Sequence, residues 1–394
     1  MAVLAQEIAV APATAGASAL TFEVFSDLAA AEALWRRLEA EPAICGTPYQ
    51  RFDWVRARVA GLAGAERTTP RGGVLRDGAG RPRMLLPLAA SREAGCRVAR
   101  FVGGRHANFH LPLALDPAGL DPDEVRAALR AAGRSLGIDL FAFALQPVTW
   151  DGVANPLAAG GTPSASDAYG MTFDVDPEAT VKLIFSTDAR KKLRAKERKL
   201  VEALGPVEHR RAAGAAEVDA ILAAFYALKA ARFSDQGIAD PFADPAVKAF
   251  LRHACLDGLT EGRPAVELHA LVAVRDERMV AIYAGAVDAR RFSGMMTAFD
   301  GGPEIARCSP GDQLLIRLVR DQAARGRTAF DLGVGESDYK ARTCEVTIPL
   351  AESWLPVTLR GRVLAEVQRA HALARRRAKR IPWVRTLARR LGMA

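Results

Sequence analysis

The order in which apolar runs, turns and helix starts follow one another from Glu267 to Leu332 leaves this chain few folds to choose from. An alternating apolar run from Leu268 to Val274 ends at the polar turn Asp276-Glu277-Arg278, and a second run covers Met279 to Val287. Asp288-Ala289-Arg290-Arg291 turns the chain again before a third run, Phe292 to Phe299. Two antiparallel hairpins are the natural product of that pattern. Ser309-Pro310-Gly311-Asp312 then opens a helix, because Ser before Pro with an acid three residues on is a helix-start signal. Leu314, Leu315, Leu318 and Val319 follow at helical spacing up to Gly326, and Ala329-Phe330-Asp331-Leu332 reads as one more strand. The order is β-β-β-α-β.

The first half repeats it. Strand-like runs lie at Gly73 to Leu75, Met84 to Ala89 and Val98 to Val102; a helix around Glu124 to Ser135 then leads into a strand from Ile138 to Phe143. Two amphipathic helices precede each copy, around 29–38 and 52–62 in the first and around 218–232 and 245–256 in the second. A tandem duplication of one α/β (α+β) unit follows, each copy a mixed, mostly antiparallel sheet flanked by helices, with the boundary between Thr172 and Phe185. The expected domains are a frayed N-terminus (1–20), a first unit (21–175), a second unit (176–355) and a basic helical tail (356–394).

A chain of 394 residues has the length of about two domains. Its five cysteines are scattered, with no CxxC pair and no zinc spacing, which points to reduced thiols, a cytoplasmic location and no metal. The net charge of +9 is a local property. From Arg360 onward the chain holds eleven Arg and Lys against the single acid Glu366, and the remainder is close to neutral. Any argument for a polyanionic partner therefore concerns the tail.

The two copies differ where the third strand meets its helix. In the second, Arg307-Cys308-Ser309-Pro310-Gly311-Asp312 offers a glycine, helix N-terminal amides and a nearby arginine. Such amides and the helix dipole favour a phosphate by roughly 0.3–2 kcal/mol. In the first, the acidic stretch Asp116 to Glu124 would repel a diphosphate. The plainer reading is that Ser309 caps the helix and Asp312 completes a capping box.

Several strings sharpen this. Tyr49-Gln50-Arg51-Phe52-Asp53-Trp54, Asp188-Ala189-Arg190-Lys191-Lys192-Leu193-Arg194, Thr297-Ala298-Phe299-Asp300, Ser309-Pro310-Gly311 and Phe330-Asp331-Leu332-Gly333 followed by Tyr339-Lys340 occur in that order. Over roughly Phe25 to Leu350 the chain resembles the GNAT acyltransferases. It resembles more closely the acetyltransferase domain of cellulose-biosynthesis (CelD-type) proteins, relatives of the Fem-type peptidoglycan aminoacyltransferases. It departs from them at Cys308 and at Thr343-Cys344, where aromatics are usual. The resemblance implies tandem GNAT-like domains, with acetyl-CoA or another acyl-CoA bound by Arg307, Ser309, Gly311 and Asp312 of the second.

Direct acyl transfer from a thioester needs a neutral nucleophile, a stabilised oxyanion and a proton for the thiolate. No enzyme nucleophile is required, which suits a chain without a GxSxG elbow. The resemblance places Tyr339 and Lys340 at the reacting end: Tyr339 to protonate the sulfur, Lys340 to hold an oxyanion or an acidic acceptor. The alternative is a half-buried tyrosine beside an exposed lysine. Asp331 is read as a general base or as a structural acceptor for the loop Gly333 to Gly335, and Asp300 as a base or a turn residue. Arg190 and Arg194 share a helical face, and the resemblance sets them at the cleft as a clamp for an anionic acceptor. Arg232, His106 and His110 are further acceptor candidates.

In the tail, Val363, Leu364, Val367 and Ala370 mark one side of a helix from Arg360 to Lys379; Pro382 ends it, and Trp383, Leu387 and Leu391 continue between arginines. Peripheral contact of 360–394 with an anionic membrane, packing on the body and nucleic-acid contact are the three readings. The expected activity is acyl-CoA-dependent N- or O-acyl transfer, of groups other than aminoacyl, to a sugar, polysaccharide or cell-envelope precursor. The alternatives are Fem-like transfer from aminoacyl-tRNA and a partner-binding module in exopolysaccharide biosynthesis.

Overall fold

The computed structural model describes residues 20–62, 68–336, 340 and 343–381. The expected frayed N-terminus up to Leu20, Tyr339 and the Trp383 to Leu391 repeat fall almost wholly outside these. The first part of the chain forms β1 (Thr21–Val24), α1 (Leu28–Ala40), β2 (Ile44–Cys45), α2 (Phe52–Leu62), β3 (Thr69–Pro70), β4 (Gly73–Arg76), β5 (Pro82–Leu86), β6 (Leu88–Glu93), β7 (Cys96–Phe101), β8 (Leu113–Leu115), α3 (Pro122–Leu136) and β9 (Leu140–Pro147). Three short bridges follow, β10 (Thr149–Trp150), β11 (Val153–Ala154) and β12 (Thr162–Pro163). The second part forms β13 (Ala168–Thr172), α4 (Pro177–Ile184), α5 (Thr187–Leu204), β14 (Val207–Arg211), α6 (Ala215–Asp235), α7 (Pro245–Leu256), β15 (Val266–Ala273), β16 (Arg278–Val287), β17 (Arg291–Phe299), α8 (Pro303–Ala306), α9 (Pro310–Ala324) and β18 (Ala329–Val334). The chain closes with β19 (Val346–Ile348), β20 (Leu350–Pro356) and α10 (Leu359–Arg380).

Local chemistry explains most starts. An Asp at the N-cap followed by Pro begins α3, α4 and α7, and each carboxylate accepts a backbone N–H of the first turn. The hairpin pattern gives β15-β16-β17 in antiparallel register, buried on both faces through most of β15 and β16. The expected β-β-β-α-β order is present in the second part; in the first, the run Met84 to Ala89 is divided between β5 and β6, and β8 comes between β7 and α3. The fold is a mixed α/β arrangement of helix-flanked, mostly antiparallel sheets.

The sheets do not divide where the sequence suggests. The later sheet has seven strands in the order β14-β15-β16-β17-β18-β13-β19, so β13, placed in the first unit by its position before residue 175, belongs to the second. Conversely β20, counted in 176–355, pairs antiparallel with β9 and completes a six-stranded sheet of the first part, β12-β20-β9-β7-β6-β3. The first part also splits into two sheets rather than one. β5 stays with β1, β4, β8 and β2, whereas β6 joins the six-stranded sheet, the chain switching at Pro87. Proline has no N–H to give to a ladder, which favours a break there.

The parts share one apolar core. Trp35, Tyr49, Phe52, Trp54 and Phe109 from the first pack with Phe225, Phe250, Leu251 and Val266 from the second. α2 lies along α7 so closely that a Cβ on Gly61 would sit 2.4 Å from the backbone of Phe250. The Arg51 guanidinium caps this junction by donating to the carbonyls of Val287 (2.7 Å) and Pro264 (2.9 Å).

The tail helix packs on the body. α10 covers β9 and β20, and Asp139, 1% exposed, accepts from Arg360 Nε at 2.7 Å and from Thr358 Oγ1 at 2.8 Å. A Cβ on Gly361 would lie 1.8 Å from the Asp139 carbonyl oxygen. Gly361→Ala is therefore expected to lift the start of α10 and cost about 1–3 kcal/mol, read as a fall in the denaturation midpoint.

Candidate functional site

The site forms where two strands part. β17 and β18 run parallel and pair only over Arg291–Ala329, Phe292–Phe330 and Ser293–Asp331. Immediately beyond, each strand carries a bulge. On β17, Gly294 faces Gly285 and Met296 faces Ala284, leaving Met295 as the extra residue. On β18, Asp331 faces Gly170 and Gly333 faces Tyr169, leaving Leu332 extra. Bulges bend a strand and end its pairing, so the two strands splay from this point. Phe292 and Phe330 stack at 4.8 Å beneath the apex and hold it rigid.

Asp331 sits at that apex, 0% exposed. Its Oδ1 accepts from Ser293 Oγ at 2.7 Å and from the Gly333 N–H at 3.3 Å. Its Oδ2 has no hydrogen-bond partner among the described residues. Tyr49 Oη is 2.8 Å from Ser293 Oγ; because that hydroxyl gives its proton to Asp331, the tyrosine is the donor. Asn108 Nδ2 donates to the Gly294 carbonyl at 2.8 Å and to Ser293 Oγ at 3.3 Å. Gly333 has φ +73° and its missing side chain leaves room for Asn108, whose amide would be 2.7 Å from a Cβ there. Burial pushes the Asp331 carboxyl up to about 6, against the opposing pull of Arg291 and of the Ser293 hydrogen bond. Burial likewise holds the Tyr49 phenol well above its ordinary value, with the Asp331 charge adding to it.

Lys340 is buried rather than exposed. Its Nζ donates to the carbonyls of Val334 (3.0 Å) and Gly333 (3.1 Å), tying down the segment after β18. Burial lowers its pKa, while Asp331 is among the groups that raise it. The structure thus brings Asp331 and Lys340 to one place.

Asp300 is elsewhere. It lies seven residues along β17 from Ser293, roughly 23 Å at strand rise. It is tied to Arg278 and accepts the Gly302 N–H at 2.9 Å. It is a turn residue, as the plainer reading had it.

The helix N-terminus departs from the capping expectation. Ser309 is left-handed (φ +52°) and makes no cap bond to α9, so no capping box forms with Asp312. Instead its hydroxyl accepts from Lys196 Nζ of α5 at 2.7 Å. A Cβ on Gly311 would meet only Phe299 Cδ1, at 3.8 Å, so the first turn lies open. Arg232 stacks over Phe299 at 5.3 Å and joins this end of the cleft, whereas Arg307 is turned outward onto Glu304. In the first part, by contrast, Asp121 caps α3 with its own carboxylate and two more acids follow in the first turn. The asymmetry between the helix starts is present in the structure.

The remaining candidates separate. Arg194 is exposed on α5, and Arg190 donates to Thr187 Oγ1 at 3.0 Å while its Nε is buried without a partner among the described residues. His106 packs its ring 5.5 Å from Phe250. His110 stacks on Phe101, and its Nδ1 is 2.9 Å from the Ala144 carbonyl; burial lowers its pKa to about 4, so it is a neutral core residue. His106 thus touches the second part away from the apex of the splay, which the same loop reaches through Asn108. Asn108, Ser293, Tyr49 and Lys196 went unassigned in the sequence. Tyr49 lies inside a string already singled out and Asn108 between the two candidate histidines, yet nothing local tells which side chain of a loop faces a partner sheet. Among the described residues no group of three or more His, Cys, Asp and Glu side chains is placed to hold a metal ion, and no helix is long and apolar enough to cross a membrane.

Similarity to known proteins is structural more than sequential. No curated protein matches the chain in sequence. The crystal structure of FemX superposes with a TM-score of 0.58 at 10% identity, over 85% of this chain and 97% of that one. A conserved protein of unknown function from Bacteroides thetaiotaomicron superposes with a TM-score of 0.50 at 11% identity, over 86% and 99%. At such identities the likeness is one of fold. Residues 187–341, from the first turn of α5 to the segment just past β18, match the acetyltransferase (GNAT) domain family.

Proposed function

We propose that the protein is an acyl-CoA-dependent acyltransferase that moves an acyl group directly from the thioester to an amine or hydroxyl of a saccharide or envelope precursor, in keeping with the CelD-type resemblance. The observation that carries the reading is the splay of β17 from β18, with a buried carboxylate of unsatisfied capacity at its apex and an uncapped helix start at its open end. From Ser293 to Phe299, beside Gly311, is roughly 20 Å at strand rise, the scale of an extended phosphopantetheine arm. The diphosphate fits the α9 amides, Lys196 and Arg232. The arm lies between the splayed strands, where the bulged Met295 and Leu332 leave main-chain groups outside the ladder.

In the reaction the acceptor nitrogen or oxygen attacks the thioester carbon and the C–S bond breaks. The acceptor's proton passes to Asp331, directly or through a water, and the thiolate leaves to take a proton from Tyr339 or solvent. Tyr49, Ser293 and Asn108 orient the carboxylate and stabilise its charge after ionisation. Lys340 fixes the Gly333-Val334 carbonyls and so the angle of the splay.

One observation favours a second donor. Lys191, Lys192, Arg194, Arg198 and Lys199 stand exposed on α5 beside Lys196, a basic face that suits the phosphates of an aminoacyl-tRNA. A thermal-shift series with coenzyme A, acetyl-CoA and tRNA distinguishes the two. At 100 times its dissociation constant the true donor adds about 2.7 kcal/mol; stabilisation by tRNA alone would overturn the acyl-CoA reading.

A further inference from the structure

Among the described residues, α10 meets the body on one side. Ala365 and Ala372 are buried against the sheet, and Gln368 accepts from Trp354 Nε1 at 2.9 Å while donating to Glu93 at 2.7 Å. Round the helix from these, Leu359, Val363 and Val367 are 81%, 68% and 61% exposed. Residues four apart stack along one face, so the three form an outward apolar row. Arg362, Arg369 and Arg376 recur every seven residues along its edge. The ion pairs of the helix engage Arg360, Arg369 and Arg375, leaving Arg362, Arg376 and Arg377 without one among the described residues. From Arg360 to Ile381 the sequence holds eight basic residues and the single acid Glu366, on a body that is otherwise near neutral.

We propose that this outward face of α10 seats the protein on an anionic lipid bilayer. The helix lies in the plane of the interface, its arginines against lipid phosphates and Leu359, Val363 and Val367 among the glycerol and upper acyl groups. Apart from Glu366 the charge is of one sign, and the apolar row is narrow, the two features that interfacial helices combine. A nucleic acid would satisfy the arginines and leave the apolar row in water. Anchoring by Asp139 and Glu352 means the helix is already ordered, so no folding has to accompany binding. The inference is independent of the acyl-transfer reading and rests on different residues.

The test uses the full chain and two sets of vesicles, one of phosphatidylcholine alone and one in which about a third of the lipid is phosphatidylglycerol. Each arginine brought to the anionic surface multiplies partitioning by about fivefold, so sedimentation with phosphatidylglycerol vesicles is expected to be at least about twentyfold stronger and to weaken with salt. Val363→Asp with Val367→Asp, and separately Arg362→Glu with Arg376→Glu, are each expected to cut it by about tenfold or more, with melting temperature and coenzyme A uptake unchanged. Equal sedimentation with both vesicles overturns the proposal, as does binding untouched by either pair. Tighter binding by a chain ending at Ile381 also overturns it, because residues 382–394 would then be the natural cover of this face. A duplex DNA or RNA bound more tightly than the anionic vesicles assigns the arginines to nucleic acid instead.

Discussion

Asp331→Asn is expected to make the protein more stable at pH 8, by about 1–3 kcal/mol, while removing most of its acyl transfer. Burial raises the folded carboxyl from 3.8 to about 6. The folded chain therefore keeps a proton that the unfolded chain has lost, and stability conferred below the unfolded value drains away as pH climbs through the folded one. Above about 6 the wild type carries a desolvated charge, which the neutral amide does not. Denaturant titrations at pH 5 and pH 8 should show the stability gap between variant and wild type opening with pH. The rate of the wild type should rise through about the same pH, and the variant should lose about 10²- to 10⁴-fold with that limb abolished. A variant that keeps a tenth of the wild-type rate would reduce Asp331 to a structural acceptor.

Gly311→Glu is expected to weaken coenzyme A binding by about 30-fold or more, near 2 kcal/mol, with the fold intact. The first turn of α9 has room for the side chain, since its Cβ would touch only Phe299 at 3.8 Å. An acid there is favourable to the helix itself, because it complements the positive end of the dipole. It is unfavourable to a phosphate, which must compete for the same amides against a fixed like charge. Isothermal calorimetry reads the loss. Undiminished uptake would move the diphosphate away from α9 and end the acyl-CoA reading, leaving the domain match as a statement about fold.

Much of this was written locally. Asp-Pro pairs mark helix starts because the caps they make are contained within four residues, and the hairpins are marked by alternation broken at Asp-rich turns. What was not local was not legible. Asp300 looks like a free acid until Arg278, twenty-two positions back, is folded against it. Ser309 looks like a cap until Lys196, on a helix more than a hundred residues earlier, takes its hydroxyl and the backbone turns left-handed. The two histidines of the first-part loop drew notice by residue type, yet the core absorbs His110, and the amide between them reaches the apex of the splay. Asp331 was legible as a costly mid-strand carboxylate, but not its neighbours Tyr49 and Ser293, 244 residues apart.

The exchange of β13 and β20 between the sheets sets the order in which the molecule can be made. During synthesis the six-stranded sheet must wait, with β9 an open edge, until Leu350–Pro356 has left the ribosome. An unpaired strand edge is a site for wrong partners. Neither half can be cut out as a working piece, and the two cannot swing apart on a hinge without unzipping a strand. The walls of the cleft are therefore buttoned to each other, and a chain shortened before Leu350 should be recovered as aggregate rather than as a smaller folded protein.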